Sequence, residues 1–389
     1  MRRLRRNDRS GAGRGSGLLV RLATAASAAG SRIEDQWWDA RLAEAIKPLL
    51  TNVGMHTIEN SLERLSQTNP RAYDILADAV ECAVESGILA HDGAEHDCLL
   101  FLAPALAWSR GRIPSGKLRD ADLDALRIQL GAHVFAPGAR IALSDRLYTP
   151  DQLPGSYAQE VTLARALFAA ALGEGRHAPR ADQIPEAIDF VSDARYVIGA
   201  VAVPKGTAMF VYQGEDVTIE ASAQAWAEQG HGALAPMLVG CQFELMPPGA
   251  YYSTLRRVDQ TARAFYLRSG VEFLGAMLNA EPAGLTASFG PFHEGQLIEY
   301  RIGLTVGRSE EIFHGVVWPV LSDTDLDEGP EQIRALLTGL GVTRIVEHEH
   351  RFPLEFSEEY GDPLFPSATG ELVRAELPED AEPAPMHLH

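Results

Sequence analysis

Arg195-Tyr196-Val197-Ile198-Gly199 returns as Glu299-Tyr300-Arg301-Ile302-Gly303, 104 residues further along the chain. Leu147-Tyr148-Thr149 returns as Tyr251-Tyr252-Ser253 at the same offset. Phe210 returns as Phe313 at 103, and Ile141-Ala142-Leu143 as Phe243-Glu244-Leu245 at 102. Offsets that drift by only a residue or two are what a duplicated supersecondary unit leaves behind.

Working outward, residues 137–240 read as strand 140–144, helix 158–172, strands 196–203 and 208–212, and helix 221–238. Lys205-Gly206 supplies a hairpin turn between the two later strands. Residues 241–352 repeat the order with strand 242–246, helix 259–278, strands 297–306 and 312–320, helix 331–340 and strand 344–347. The order βαββα(β) predicts tandem ferredoxin-like units in an α+β protein.

Residues 31–136 read as a helix-rich N-terminal region. Ser31 with Glu34 forms a capping box, and Trp37, Trp38, Leu42, Ala45 and Ile46 recur at helical spacing, so the tryptophans are expected to anchor that helix. A second helix covers 55–65, and Asn69-Pro70 opens a third. The unbroken apolar run Cys98–Ala103 predicts a strand covered on both faces, and a helix follows at 121–133. This order reads as a degenerate third copy of the repeat. Residues 1–30 are expected to be a basic disordered tail, and 353–389 an extended acidic, proline-rich one.

Of 389 residues, 46% are hydrophobic, which points to a folded chain with more than one core. The net charge is −19, yet the first 21 residues carry seven arginines against Asp8, leaving −25 for the remainder. So acidic a body is expected to bind neither nucleic acid nor anionic membranes. Cys82, Cys98 and Cys241 suggest no disulfide framework and fit a cytoplasmic location. Arg21 interrupts the one candidate export segment, Gly17–Leu22.

Chemistry-bearing motifs are few. Gly111-Arg112-Ile113-Pro114-Ser115-Gly116-Lys117-Leu118 matches the phosphate-loop spacing, but Leu118 stands where a hydroxyl would hold magnesium. A basic loop of Arg110, Arg112, Ser115, Gly116 and Lys117 for a small anion or acidic partner is the softer reading. Tyr148 and Tyr252 occupy equivalent positions of the repeat and read first as aromatic anchors with satisfied hydroxyls, a shared cleft being the alternative. His348 and His350 alternate along a strand beside Glu347 and Glu349, and with His387 and His389 they are weak metal candidates against a reading of no metal. His91, His96 and Cys98 match no ligand spacing. No nucleophile elbow is present. The sequence names no cofactor. An exposed edge strand at 208–212 allows a homo-oligomer.

Several strings resemble an uncharacterised, mainly beta-proteobacterial family known as a domain of unknown function. They are Gln67-Thr68-Asn69-Pro70, Ala103-Pro104, Leu106-Ala107-Trp108, Ile113-Pro114-Ser115-Gly116, Asp151-Gln152-Leu153-Pro154, Tyr300-Arg301-Ile302-Gly303 and Gly315-Val316-Val317-Trp318-Pro319. Pro378-Glu379-Asp380 and His387-Leu388-His389 belong with them. The resemblance implies no activity, substrate or cofactor. Relatives carry a cysteine pair before a Gly-x-Pro-Leu segment, which with the terminal histidines implies a zinc site there. Here Ser357 and Tyr360 precede Gly361-Asp362-Pro363-Leu364, so that site lacks its thiolates. The functional expectation is a non-catalytic ligand- or protein-binding module. The alternative is an enzyme with its active site in a cleft between the repeated units.

Overall fold

The computed structural model describes residues 9–377, apart from 110–111, 174, 180–183, 188–191, 215 and 360. The chain is a mixed α+β protein. Its N-terminal part is a helical layer of α1 (Arg9–Ala26), α2 (Arg32–Ile46), α3 (Asn52–Thr68) and α4 (Pro70–Glu85). The expected tail is thus helical from Arg9 to Ala26. Its glycines disfavour a helix locally, but Leu19 and Ala23 are fully buried, and tertiary packing outweighs the propensity cost. In α2 the Glu34 amide donates to Ser31 Oγ, as the capping box requires, and Leu42 and Ile46 are buried. Trp38 packs against the core as expected, whereas Trp37 is half exposed under Arg41.

The chain then runs from α4 directly into β1 (Ser86–His91), turns at Asp92-Gly93, and enters β2 (Ala94–Trp108). Next come β3 (Gly116–Lys117), α5 (Asp120–His133), β4 (Arg140–Tyr148), α6 (Tyr157–Leu172), β5 (Arg176–His177), β6 (Ser192–Pro204), α7 (Ile219–Leu234), β7 (Gln242–Leu245) and β8 (Gly249–Ala250). All eight strands form one sheet in the order β1-β2-β6-β4-β3, with β5 on β4 and both β7 and β8 on β2. The apolar run in β2 is buried on both faces, as expected. Leu100, Leu102 and Leu106 face α6 and the helical layer, while Phe101, Ala103 and Ala105 face α5 and α7.

The 28-residue α8 (Tyr251–Leu278) carries the chain onward, about 42 Å at 1.5 Å per residue. Its first half packs on the first sheet and its second half on another. That second sheet contains β9 (Leu285–Glu294), β10 (Gln296–Val306), β11 (His314–Pro319), β12 (Arg344–Glu347) after α9 (Asp323–Gly339), and β13 (Phe352–Pro353). Its order is β11-β10-β9-β12, with β13 also on β9. Helices α8 and α9 cover one face. The other lies under a C-terminal strap whose hairpin pairs β14 (Leu364–Pro366) with β15 (Leu372–Arg374). Gly303 and Gly315 make room for it, because a Cβ there would fall 2.8 Å from the Pro366 carbonyl oxygen and 2.2 Å from the Phe365 ring.

These strands correct the duplicated-unit expectation. β7, the expected first strand of the second unit, is hydrogen-bonded to β2 in the first sheet, so the boundary at 240/241 falls inside that sheet. The 208–212 segment is an isolated bridge of Phe210 to Phe135 and one helical turn at Val211–Gln213, which removes the expected edge strand. In the second sheet β12 runs parallel to its neighbour β9, unlike the outer strand of a ferredoxin-like unit. What recurs is local: Tyr196 and Tyr300 lie on central strands, each buried on the opposite face from a buried arginine, Arg195 or Arg301.

Candidate functional site

The basic loop does not build a phosphate cradle. Gly116 and Lys117 form a short strand on β4, and α5 begins only at Asp120, so Lys117 is not in a helix's first turn. Leu118 is buried, with its amide donating to the Asp145 carbonyl at 2.8 Å. Lys117 Nζ lies 3.8 Å from the Asp145 carboxylate in a solvent-facing pair. The Ile113 and Pro114 carbonyls accept from the fully buried Arg195, which also pairs with Asp193. This loop is clamped from below by Arg195. Arg112 and Ser115 belong to it, whereas Arg110 lies outside the described residues.

Tyr148 and Tyr252 do enter one core, but as packed groups. Tyr148 shares a hydrogen bond of 2.7 Å with Ser144 across a bulge in β4. Tyr252 begins α8, donates its hydroxyl to the Glu160 carboxylate on α6, and has its amide capped by Glu85 at 3.0 Å. Tyr251 is fully buried beside it, its hydroxyl without a partner. Burial pushes the Glu160 carboxyl up to about 7, the Tyr252 bond opposing and the Glu81 charge adding to the rise. Burial likewise raises Glu85 and both tyrosines. Glu160 was legible as an anomaly, since it shares a helix face with Ala164, Leu167 and Ala171. A carboxyl held protonated near neutrality can donate a proton or a hydrogen bond. This one is walled into the core with its tyrosine.

The histidines sit elsewhere, beneath the strap of the second sheet. The His348 and His350 rings are 5.5 Å apart, His350 packs 4.0 Å from Phe352, and His348 Nε2 meets the Ser367 carbonyl at 2.9 Å. Among the described residues no group of three His, Cys, Asp or Glu side chains converges to hold a metal. His387 and His389 lie outside the described residues. The pair packs on Phe352 and Gly370 at the second sheet, whereas Tyr148 and Tyr252 lie in the core of the first, so the structure does not bring the two sets together.

An opening lies between the first sheet and the middle of α8. A cavity of about 610 Å³ is bounded by Trp108, Cys241 and Phe243 on the first sheet's side and by Phe265, Arg268 and Glu272 of α8. The His231 ring stacks on Phe243 at 4.2 Å, and Arg268 bridges the gap to Glu244 at 2.6 Å. Trp108 Nε1 donates to Gln242 at 3.1 Å, turning its indole toward the joint. Burial pushes the Cys241 thiol up, away from the thiolate form that a nucleophile needs. The sequence did not single out this cavity, since its walls come from β2, β7, the end of α7 and the middle of α8.

Among the described residues no helix is long and apolar enough to cross a membrane. The chain matches no curated protein and no solved structure. A family model described as "Protein of unknown function (DUF2863)" matches residues 4–388, and with nearly its whole length matched, the chain belongs to that family.

Proposed function

We propose that the chain is a non-catalytic binding module whose ligand, a small planar organic molecule, lodges in the cavity between the first sheet and α8. The cavity at Trp108, Phe243 and Phe265 carries this reading, since about 300–1,000 Å³ lined by aromatic groups with a few charges is what small-ligand sites offer. Aromatic faces supply the affinity, and the Arg268–Glu244 pair supplies polar groups at the edge. The alternative, an enzyme working in this cleft, is less well supported. The polar actors expected for it, Tyr148, Tyr252, His348 and His350, do not line the cavity, and burial raises the Cys241 thiol there.

Titration with the fluorescent planar probe 8-anilinonaphthalene-1-sulfonate tests the reading. The native chain should saturate at one probe per chain. Ala235→Trp, which fills the cavity from the end of α7, should abolish that signal without changing the melting temperature. Equal probe binding by native and Ala235→Trp chains would remove the cavity from consideration.

A further inference from the structure

A second cavity, sharing no residue with the first, lies where α8 begins. Arg257 stands in the second turn of that helix and reaches back over Pro247-Pro248-Gly249. Its Nη2 donates to the Pro247 carbonyl and, at 3.4 Å, toward Thr254 Oγ1, while its Nε is buried without a hydrogen-bond partner. Among the described residues no carboxylate lies within ion-pairing distance of this guanidinium. Arg195, Arg256, Arg263, Arg268 and Arg301, by contrast, each have one. Burial lowers its pKa, which is the cost of keeping a charge half-buried and uncompensated.

The space before it is about 210 Å³, and its other walls are mostly apolar, with the Ser222 and Ser253 hydroxyls already donating to the His133 and Ala250 carbonyls. The Tyr212 ring lies on Phe210 at 5.1 Å and 15°, and Trp226 stands behind them with Nε1 already donating to the Met246 carbonyl. The start of α8 is not what would attract an anion here, because Glu85 already caps the Tyr252 amide. The side chain of Arg257 is a charge with no carboxylate beside it among the described residues.

We propose that this cavity is a binding site for a small monocarboxylate with a flat apolar body, its carboxylate on Arg257 and its ring against Tyr212 and the Pro247-Pro248 turn. A carboxylate supplies the missing counter-ion and accepts from the planar guanidinium, which suits two-oxygen acceptors. A single cation beside two serine hydroxyls that already donate elsewhere favours a monoanion over a phosphate dianion, which calls for more donors. The volume limits the body to about one ring.

Calorimetric titration with benzoate, benzamide and inorganic phosphate decides it. Native chain should bind benzoate with a Kd on the order of 1 mM, and benzamide at least about tenfold more weakly. Arg257→Ala should weaken benzoate at least about tenfold, to the level of benzamide, and Tyr212→Ala should weaken both. Should Arg257→Ala fail to fold, the benzoate–benzamide ratio on the native chain still gives the answer. Equal affinity for those two, phosphate binding as tightly as benzoate, or benzoate affinity surviving Arg257→Ala would each overturn the proposal.

Discussion

Glu160 and Tyr252 are joined by a hydroxyl-to-carboxylate hydrogen bond that ties α6 to the first turn of α8, inside a core where both are buried. Two helices that diverge to different parts of the molecule are thereby pinned by one polar contact. Because the bond sits among Tyr157, Tyr251 and Leu residues, the protonation of Glu160 is a matter of stability.

The folded carboxyl titrates at about 7, above its ordinary 4.5, so the folded state holds the proton more tightly than the unfolded one. Stability is then fullest below about pH 4.5 and declines as pH rises to about 7, by an amount on the order of 3 kcal/mol for this group alone. Glu160→Gln keeps the shape and removes the charge. Its stability relative to the native chain should rise between pH 5 and pH 8 in urea denaturation. A difference that stays flat across that range would show that Glu160 does not titrate there.

Arg301 is fully buried between Phe292 and Phe356, paired with Glu299, and donates to the Glu355 and Leu364 carbonyls of the C-terminal strap. Glu299→Gln leaves that charge without its carboxylate, at a cost of about 3–5 kcal/mol. The strap should loosen first. Limited proteolysis should cut within residues 352–377 of the variant before any other site.

A methyl group at Gly199 would lie 2.4 Å from the Phe101 ring and 2.7 Å from the Ala142 carbonyl oxygen. Both neighbours belong to strands flanking β6, so neither yields without opening the sheet. Gly199→Ala should cost about 3 kcal/mol or more. A thermal-denaturation midpoint unchanged from native would contradict this packing.

Lys117→Ala removes only an exposed pair with Asp145. Its melting midpoint should shift by no more than about 0.5 kcal/mol equivalent. Benzoate and naphthalene-probe binding should be untouched, since Lys117 lines neither cavity.

Much of the local order is written in the chain because it depends on neighbours three or four residues apart. Ser31 with Glu34 sets the start of α2, Asn69-Pro70 the start of α4, and apolar periodicity most of α5 through α8. The strand at β12 follows the same logic. β9 escaped because Leu285–Glu294 carries Gly290 and Pro291 in a mixed pattern that reads as a loop, although it is central to the second sheet. α1 escaped because its glycines argue against a helix until α3 packs on it. Glu160 sits on the otherwise apolar face of α6, but its partner on α8 cannot be read from local spacing.

The amino-acid order alone determined most of the helices and the strands β2, β6 and β10, since these follow from short-range sterics and hydrophobic spacing. Only the tertiary structure decided that β7 joins β2, that Tyr252 meets Glu160, and that Arg257 meets no carboxylate among the described residues. Strand pairing and side-chain convergence join residues up to a hundred and more positions apart. They are settled by which apolar faces can be buried together, and that is a property of the assembled layers.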